Sequence, residues 1–277
     1  MKHGLATAAL LLLAPVVAHA TCSLAQPPTV NLGTYTGATS TSGATNITVT
    51  CPQFSGDYSI SLNAGTGSGA TTSNRKLTGP ASATLAYGLF QDAAHSQNWG
   101  NVVGVDTASG SGSVPNRVFT IYPRIAGGQL VTPGTYNDTI STGTRNFNLV
   151  AVVQAACQIT ATNIDFGIYS SETLDSAGTL SITCTRTTPY YVNLGNGMHA
   201  DSSFLPQSAS PSGDLLSYTL FQDASRSRRW GNTYNLDGVA GTGSGALQFL
   251  TIYGRVFAAQ VASPGTYTDT VIATITY

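Results

Sequence analysis

Charge is the first thing this chain has little of. Asp, Glu, Lys and Arg make up 8% of its 277 residues, against about 25% in an average soluble protein. The formal net charge is −1, which leaves no basic surface for nucleic acid and no polybasic tether for a membrane. No stretch beyond residue 17 approaches the roughly eighteen consecutive apolar residues of a membrane span. Helical periodicity is missing from the same region. Zinc-type spacing is missing too: the four cysteines include no CxxC pair and the four histidines are scattered, whereas a structural zinc needs four ligands close together. No metal and no cofactor is expected.

What the chain does contain is one phrase written twice. YGLFQDAAHSQNWGN at 87–101 returns as YTLFQDASRSRRWGN at 218–232, and the only two tryptophans, Trp99 and Trp230, stand at the same place in it. The same offset of 131 residues links Ile121–Tyr122 and Arg124 to Ile252–Tyr253 and Arg255, and Pro133–Tyr136 to Pro264–Tyr267. A period this long marks a duplicated domain rather than a solenoid repeat. Between turn clusters lie short β-rich runs such as NITVTC (46–51), YSISL (58–62), RVFTIYPRI (117–125) and YTDTVIATITY (267–277). Each unit of about 120 residues fits a β-sandwich of the immunoglobulin kind. The fold class is therefore all-β, with two tandem sandwiches.

The N-terminus reads as a leader. Lys2 and His3 precede an apolar run from Leu5 to Val17, and Ala18–His19–Ala20 has the small-x-small form of a signal peptidase site. The expected organisation is a signal peptide over 1–20, a first domain over 21–154 and a second over 155–277. Cysteines then come as two pairs, Cys22 with Cys51 and Cys157 with Cys184. Four cysteines allow three connectivities; the duplication favours one bridge per domain, and an exported protein permits it.

The second unit carries Cys157-Gln-Ile-Thr, Asp165-Phe-Gly-Ile-Tyr169, Ser181-Ile-Thr-Cys184, Tyr218-Thr-Leu-Phe-Gln-Asp, Arg229-Trp-Gly-Asn232 and Pro264-Gly-Thr-Tyr-Thr-Asp269, in that order. Together they resemble a spore coat protein U domain, the family whose members form pilin subunits of archaic, Csu-type chaperone–usher pili. The resemblance implies an immunoglobulin-like sandwich lacking its last strand, with the gap filled by the extension of the next subunit through β-strand addition. It further implies three partners: a periplasmic chaperone, an outer-membrane usher and the next pilin subunit.

Set against that scheme, the mature chain would begin one residue before Cys22, leaving no donor extension. The far end alternates Val271, Ala273, Ile275 and Tyr277 with Ile272, Thr274 and Thr276, which reads as an acceptor strand awaiting a neighbour. The first unit differs. After a polar turn at 141–146 it continues Phe147-Asn-Leu-Val-Ala-Val-Val-Gln154, with Phe147, Leu149, Ala151 and Val153 on one face at period 2. This segment is expected to fold back as an intrachain donor strand. One closed domain, one open domain and nothing to donate describe a tip subunit: an exported adhesin at the cell surface, mediating attachment and biofilm formation. A structural spore or cyst coat subunit polymerising by strand exchange, and a solitary secreted binding module, are the alternatives.

Catalysis is not expected. Asp92, His95 and Ser96 are the only triad-like set, but three members within five residues rarely converge on one site, and the second copy has Arg226 in place of the histidine. Asp92, Asp223, Asn101 and Asn232 are expected to cap turns. GTGSG at 65–69 and 241–245 lacks the strand, helix and lysine of a phosphate loop. The differences between the copies point instead to apolar loop residues of the first domain: Phe54, Val102, Val103, Val105, Leu130 and Val131. These are the expected adhesive surface for an unknown receptor or abiotic material.

Overall fold

The computed structural model describes residues 22–51, 56–199, 207–210 and 213–277; the expected leader and Phe54 lie outside them. The first half carries β1 (Ser23–Leu24), β2 (Val30–Tyr35), β3 (Thr41–Ser42), β4 (Thr45–Thr50), β5 (Asp57–Ile60) and β6 (Arg75–Thr78). It continues with β7 (Thr84–Phe90), β8 (Ala108–Ser111), β9 (Asn116–Ile125), β10 (Gly134–Ser141) and β11 (Asn146–Val153). The second half carries β12 (Cys157–Ala161), β13 (Leu174–Cys184), β14 (Pro189–Leu194), β15 (Gln207–Ala209), β16 (Leu215–Phe221), β17 (Val239–Thr242), β18 (Leu247–Val256) and β19 (Ala273–Thr276). A single 3₁₀ turn, Pro80–Ser82, is the sole helical element among the described residues.

Alternation builds both sandwiches. Along β7 the exposure pattern places Leu85, Tyr87 and Leu89 inward, and β9 and β18 do the same with Ile121 and Ile252. In the first half the hydrogen-bonded order is β1-β4-β9-β7-β6-β10-β11-β2, with β3 also on β9 and a separate β5–β8 pair. β7 serves both layers, pairing with β6 through Thr84–Tyr87 and with β9 through Gly88–Phe90. In the second half one sheet runs β12-β13-β18-β16-β15 and the facing one β17-β14-β19. Each half encloses its own apolar cluster, with Trp99 buried in one and Trp230 in the other. The architecture is two tandem immunoglobulin-like sandwiches, as the duplication implies.

The two bridges are Cys22–Cys51 and Cys157–Cys184, with sequence separations of 29 and 27 residues. Each pins the first strand of its sandwich to the strand it pairs with. Restricting the unfolded chain by a loop of this size is worth about 3–4 kcal/mol on the chain-entropy account. Replacing Cys157 and Cys184 with Ser should therefore lower the denaturant midpoint of the second sandwich, and non-reducing peptide mapping of the wild type should return only the two intradomain bridges.

The connection between the halves is short. Gln154 N–H still bonds Tyr35 O of the first sandwich at 3.0 Å, and Ala156 N–H already reaches Thr185 Oγ1 of the second at 3.2 Å. Across the junction Arg186 N–H donates to Leu130 O at 3.1 Å.

Candidate functional site: a strand-wide groove in the second sandwich

In the first sandwich β11 lies between two strands. On one side it pairs antiparallel with β10 along its whole length, from Gly134↔Val153 to Ser141↔Asn146. On the other it pairs in parallel with β2, Leu149 opposite Val30 and Val153 opposite Tyr35, with a bulge between Val150 and Val152. Phe147, Leu149, Ala151 and Val153 all point into the core and are buried. They cover Tyr136 and Ile140 of β10, both fully buried.

The second sandwich has both flanking segments and, among the described residues, no strand between them. Ile164–Tyr169 is the counterpart of β2: Tyr169 OH donates to Phe257 O and accepts from Gln260 N–H, as Tyr35 OH does with Ala126 O and Gln129 N–H. The counterpart of β10 is 265–272. Neither forms a strand, apart from one bridge between Thr268 and Ala209. A cavity of about 510 Å³ runs between them. Ile164 and Phe166 form one wall, Tyr267, Asp269 and Val271 the other, and Leu180, Leu194, Leu220 and Ile252 the floor. Tyr267 and Val271 are only half-buried here, whereas their counterparts under β11 are fully buried.

The groove corrects the expected acceptor strand. Val271, Ala273, Ile275 and Tyr277 do not form one rim. Val271 and Ala273 line the groove, but β19 leaves it and pairs antiparallel with β14, Ala273 opposite Leu194 and Thr276 opposite Tyr191. Ile275 packs on the core from that side, and Tyr277 is exposed. The physical reason is an edge left open on β14: with nothing to pair against in the groove, the last strand satisfies its backbone there. Gly195 N–H on Ile272 O, at 2.8 Å, starts that pairing.

A polar anchor fixes the rim. In the first sandwich the buried Asp138 carboxylate accepts from Tyr87 OH at 2.6 Å, Thr66 N–H and Thr139 N–H at 2.7 Å each, and Thr66 Oγ1 at 2.8 Å. Asp269 repeats this with Tyr218 OH at 2.6 Å and the N–H groups of Met198 and Thr270 at 2.8 Å. Burial, together with the neighbouring carboxylate, pushes both phenols far above the ordinary tyrosine range, so each stays a donor. The first sandwich adds Arg75, fully buried, whose guanidinium donates to the carbonyls of Asn63, Thr72, Leu62 and Trp99. Burial lowers its pKa to about 10, against partial compensation from Tyr87 and Asp138. No sequence pattern marks this arginine, which lies outside the repeated phrase.

The repeated phrase itself is scaffold. Trp99 and Trp230 donate their indole N–H to Ile60 O and Val192 O at 2.8 and 2.9 Å. Gln91 and Gln222 bridge the carbonyls of Asn98 and Asp106, and of Arg229 and Asp237. A Cβ on Gly100 or Gly231 would fall 1.8 or 2.1 Å from the carboxylate of Asp106 or Asp237, so only glycine fits. Those aspartates close the next turn by accepting from Val102 N–H and Thr233 N–H at 2.7 Å; the expected caps Asn101 and Asn232 take no part in these bonds. Asp92 and Asp223 do cap, each accepting from two or more backbone N–H groups. The first is held below the usual carboxylate range chiefly by Gln97 N–H, the second chiefly by the Ser225 hydroxyl. Whatever they add to stability is thus present above about pH 4 and lost as pH falls further. Ser96 Oγ donates to Asp92 at 2.8 Å rather than to His95, whose ring stands edge-on to Phe90, so the three make no relay.

Of the expected loop residues, Val102, Val103 and Val105 are 53%, 71% and 80% exposed. Leu130 and Val131 are corrected. Val131 packs against the first core and Leu130 is half-buried at the junction, its carbonyl bonded to Arg186. The loop before the Pro-Gly turn meets the second sandwich at Leu130.

Comparison with known proteins agrees with the fold. A model of the Spore Coat Protein U domain matches twice, over residues 6–143 and 143–274. Protein U of Myxococcus xanthus is 34% identical over 155 residues, half of this chain and 86% of that protein. Among solved structures, a chain in the crystal structure of the CsuC–CsuE chaperone–tip adhesion subunit pre-assembly complex, from archaic chaperone–usher Csu pili of Acinetobacter baumannii, superposes with a TM-score of 0.59. That alignment covers 93% of this chain and 100% of the other at 18% identity, a likeness of fold. With both sandwiches matched in full sequence order, the chain belongs to the Spore Coat Protein U domain family.

Proposed function

We propose that this protein is an exported tip subunit of a chaperone–usher pilus, with the first sandwich (21–154) as the adhesive domain and the second (155–277) as the pilin domain. One observation carries the reading: the place filled by β11 in the first sandwich is, among the described residues, an open strand-wide groove in the second. A groove with an apolar floor, whose two walls are joined by no strand among the described residues, is a template for β-strand addition. Register follows from the first sandwich. The incoming strand runs antiparallel to 265–272 and parallel to 164–169, with alternate apolar side chains entering beside Val271, Asp269 and Tyr267. Before assembly a periplasmic chaperone occupies the groove; the usher then hands it to the next pilin subunit. Val102, Val103 and Val105 form part of the contact with the receptor or abiotic surface, supporting attachment and biofilm formation.

A coat subunit that polymerises by the same strand exchange is the second reading, favoured by the 34% identity to Protein U. Two measurements separate them. The full chain secreted alone should be degraded or aggregate and should be recovered as a one-to-one complex when a periplasmic pilus chaperone is co-expressed; recovery of a soluble, chaperone-independent monomer would sink the groove proposal. Replacing Val102, Val103 and Val105 with Ser should weaken adhesion of assembled fibres by about tenfold with the melting temperature almost unchanged. Adhesion unaltered by these changes removes the valines from the contact, and fibres that bind nothing favour the coat.

A further inference from the structure

The two sandwiches share a small hydrogen-bonded frame at the pole where the chain leaves the first for the second. In the first, Tyr35 OH accepts from Gln129 N–H at 3.0 Å, the Gln129 amide holds both backbone groups of Ala86, and Gly128 N–H donates to Gly37 O. In the second, Tyr169 OH accepts from Gln260 N–H at 2.8 Å, the Gln260 amide holds both backbone groups of Ser217, and Ala259 N–H donates to Ser171 O. The match fixes equivalences outside the repeated phrase. Val261 stands where Leu130 stands, Phe257 where Ala126 does, Leu215 where Thr84 does and Ile168 where Thr34 does.

In the first sandwich this pole is engaged. Leu130 O accepts from Arg186 N–H at 3.1 Å, and a Cβ on Gly245 would lie 2.7 Å from the same oxygen. Arg186 and Gly245 belong to one corner of the second sandwich, tied together by Thr187 N–H on Gly243 O at 2.7 Å. The chain itself sets the approach. β11 ends at Val153, β12 begins at Cys157, and the bridge from Cys157 to Cys184 holds the segment that carries Arg186. A sandwich that follows closely on a strand placed like β11 is thereby delivered with this corner against the pole.

The equivalent pole of the second sandwich is open. Val261 is 100% exposed, with Ile168 at 91%, Leu215 at 45% and Phe257 at 38%, whereas Leu130 is half-buried. Ile, Leu and Phe replace Thr34, Thr84 and Ala126, so the open pole is more apolar than the engaged one. Exposed apolar side chains scattered singly need no explanation, but a group of them around one frame marks an interaction surface. The group also adjoins the groove, since Ile168 belongs to one wall segment and Val261 shortly precedes the other.

We propose that this pole docks the body of the subunit that donates the strand, by the segment just past its second cysteine. Val261 O then takes the part of Leu130 O and accepts the backbone N–H that Arg186 supplies within this chain, while Ile168, Leu215 and Phe257 are covered. The two surfaces differ, pole on one side and cysteine corner on the other, so the contact is head-to-tail and does not close on itself. The inference rests on strand acceptance by the groove and adds an orientation to it. A strand alone would leave the neighbouring body to swing on its short link; docking at the pole fixes the angle between them.

Two fusions of the full chain test this, both carrying Val261→Cys. In one, a copy of residues 146–153 follows Tyr277 through a Gly-Ser linker and supplies the strand alone. In the other, a copy of residues 146–277 follows the same linker and supplies strand and sandwich, its own groove closed by a further copy of 146–153. Maleimide labelling of the thiol at 261 is expected to be rapid in the first fusion and about tenfold or more slower in the second, as for a site reached only by local opening. Ile168→Ser with Phe257→Ser should restore rapid labelling in the second fusion and leave the melting temperature of the first unchanged. Should the serines lower that melt, the two fusions with the pole otherwise intact decide. Equal labelling in the two fusions overturns the proposal and leaves strand acceptance standing. So does a slowing that ignores the two serines, or a thiol already shielded in the strand-only fusion by pairing of two copies, seen as a dimer in light scattering. If neither fusion melts higher than the chain without an added strand, the groove takes no strand and this proposal falls with it.

Discussion

A copy of residues 146–153, joined after Tyr277 by a flexible Gly-Ser linker, is expected to close the second sandwich and make the chain a stable monomer. Phe, Leu and Val side chains at the positions of Phe147, Leu149 and Val153 would each contribute about 1.5–3 kcal/mol on burial. The new backbone pairings on both walls offset much of the cost of ordering eight residues. A net gain of about 3 kcal/mol would raise the melting temperature of a domain this size by about ten degrees or more. Binding of an apolar dye to the exposed groove should disappear at the same time. The control carries Asp at the position of Leu149 and should do neither. An unchanged melt and undiminished dye binding in the fused protein would mean that the groove does not accept a strand in this register.

Leu149→Asp in the native first sandwich should be the most damaging single substitution in β11. Leu149 is fully buried, so the change removes its packing and places an unpaired carboxylate in the core, at a cost of about 4 kcal/mol or more. Domains are stable by only about 5–15 kcal/mol, and the first sandwich should be largely unfolded or sticky. Three residues along, Val152 is 40% exposed on the opposite face, and Val152→Asp should cost under about 1 kcal/mol. Fluorescence in a Trp230→Phe background lets Trp99 report the first sandwich alone. Equal losses from the two substitutions would mean that β11 is a covering segment rather than a strand of the core.

How much of this was legible beforehand depended on whether the signal was local. The alternation of Phe147, Leu149, Ala151 and Val153 shows in seven consecutive residues, and the structure buries all four. The shared offset identified Trp99, Trp230 and their surroundings as scaffold, because both copies write them alike. Arg75 escaped notice, since four carbonyls from three separate segments satisfy it and no sequence pattern announces such a cage. The parallel pairing of β2 with β11, with its bulge, was equally silent: Pro27, Pro28 and Gly33 interrupt the run that forms it. Tyr267–Tyr277 read as one strand because its alternation is unbroken, yet the structure uses its halves differently. Alternation says which side chains face inward; it does not say which neighbour is available to pair with. Leu130 and Val131 are less free than a loop tip suggests, because Val131 packs on its own core and the Leu130 carbonyl accepts from Arg186 across the junction.

The exit of the chain from the first sandwich has a mechanical consequence. The link to the second sandwich leaves from the end of β11, only three residues before β12 begins. Any tension between the two sandwiches therefore pulls β11 along its own axis. Its eight register pairs with β10, and those with β2 on the other side, lie across that direction. Loaded this way the ladders are sheared and must give way together, whereas a hairpin pulled at its open end unzips one pair at a time. The strand that completes the fold is thus also the one through which a pulling force enters it, in the orientation that resists best.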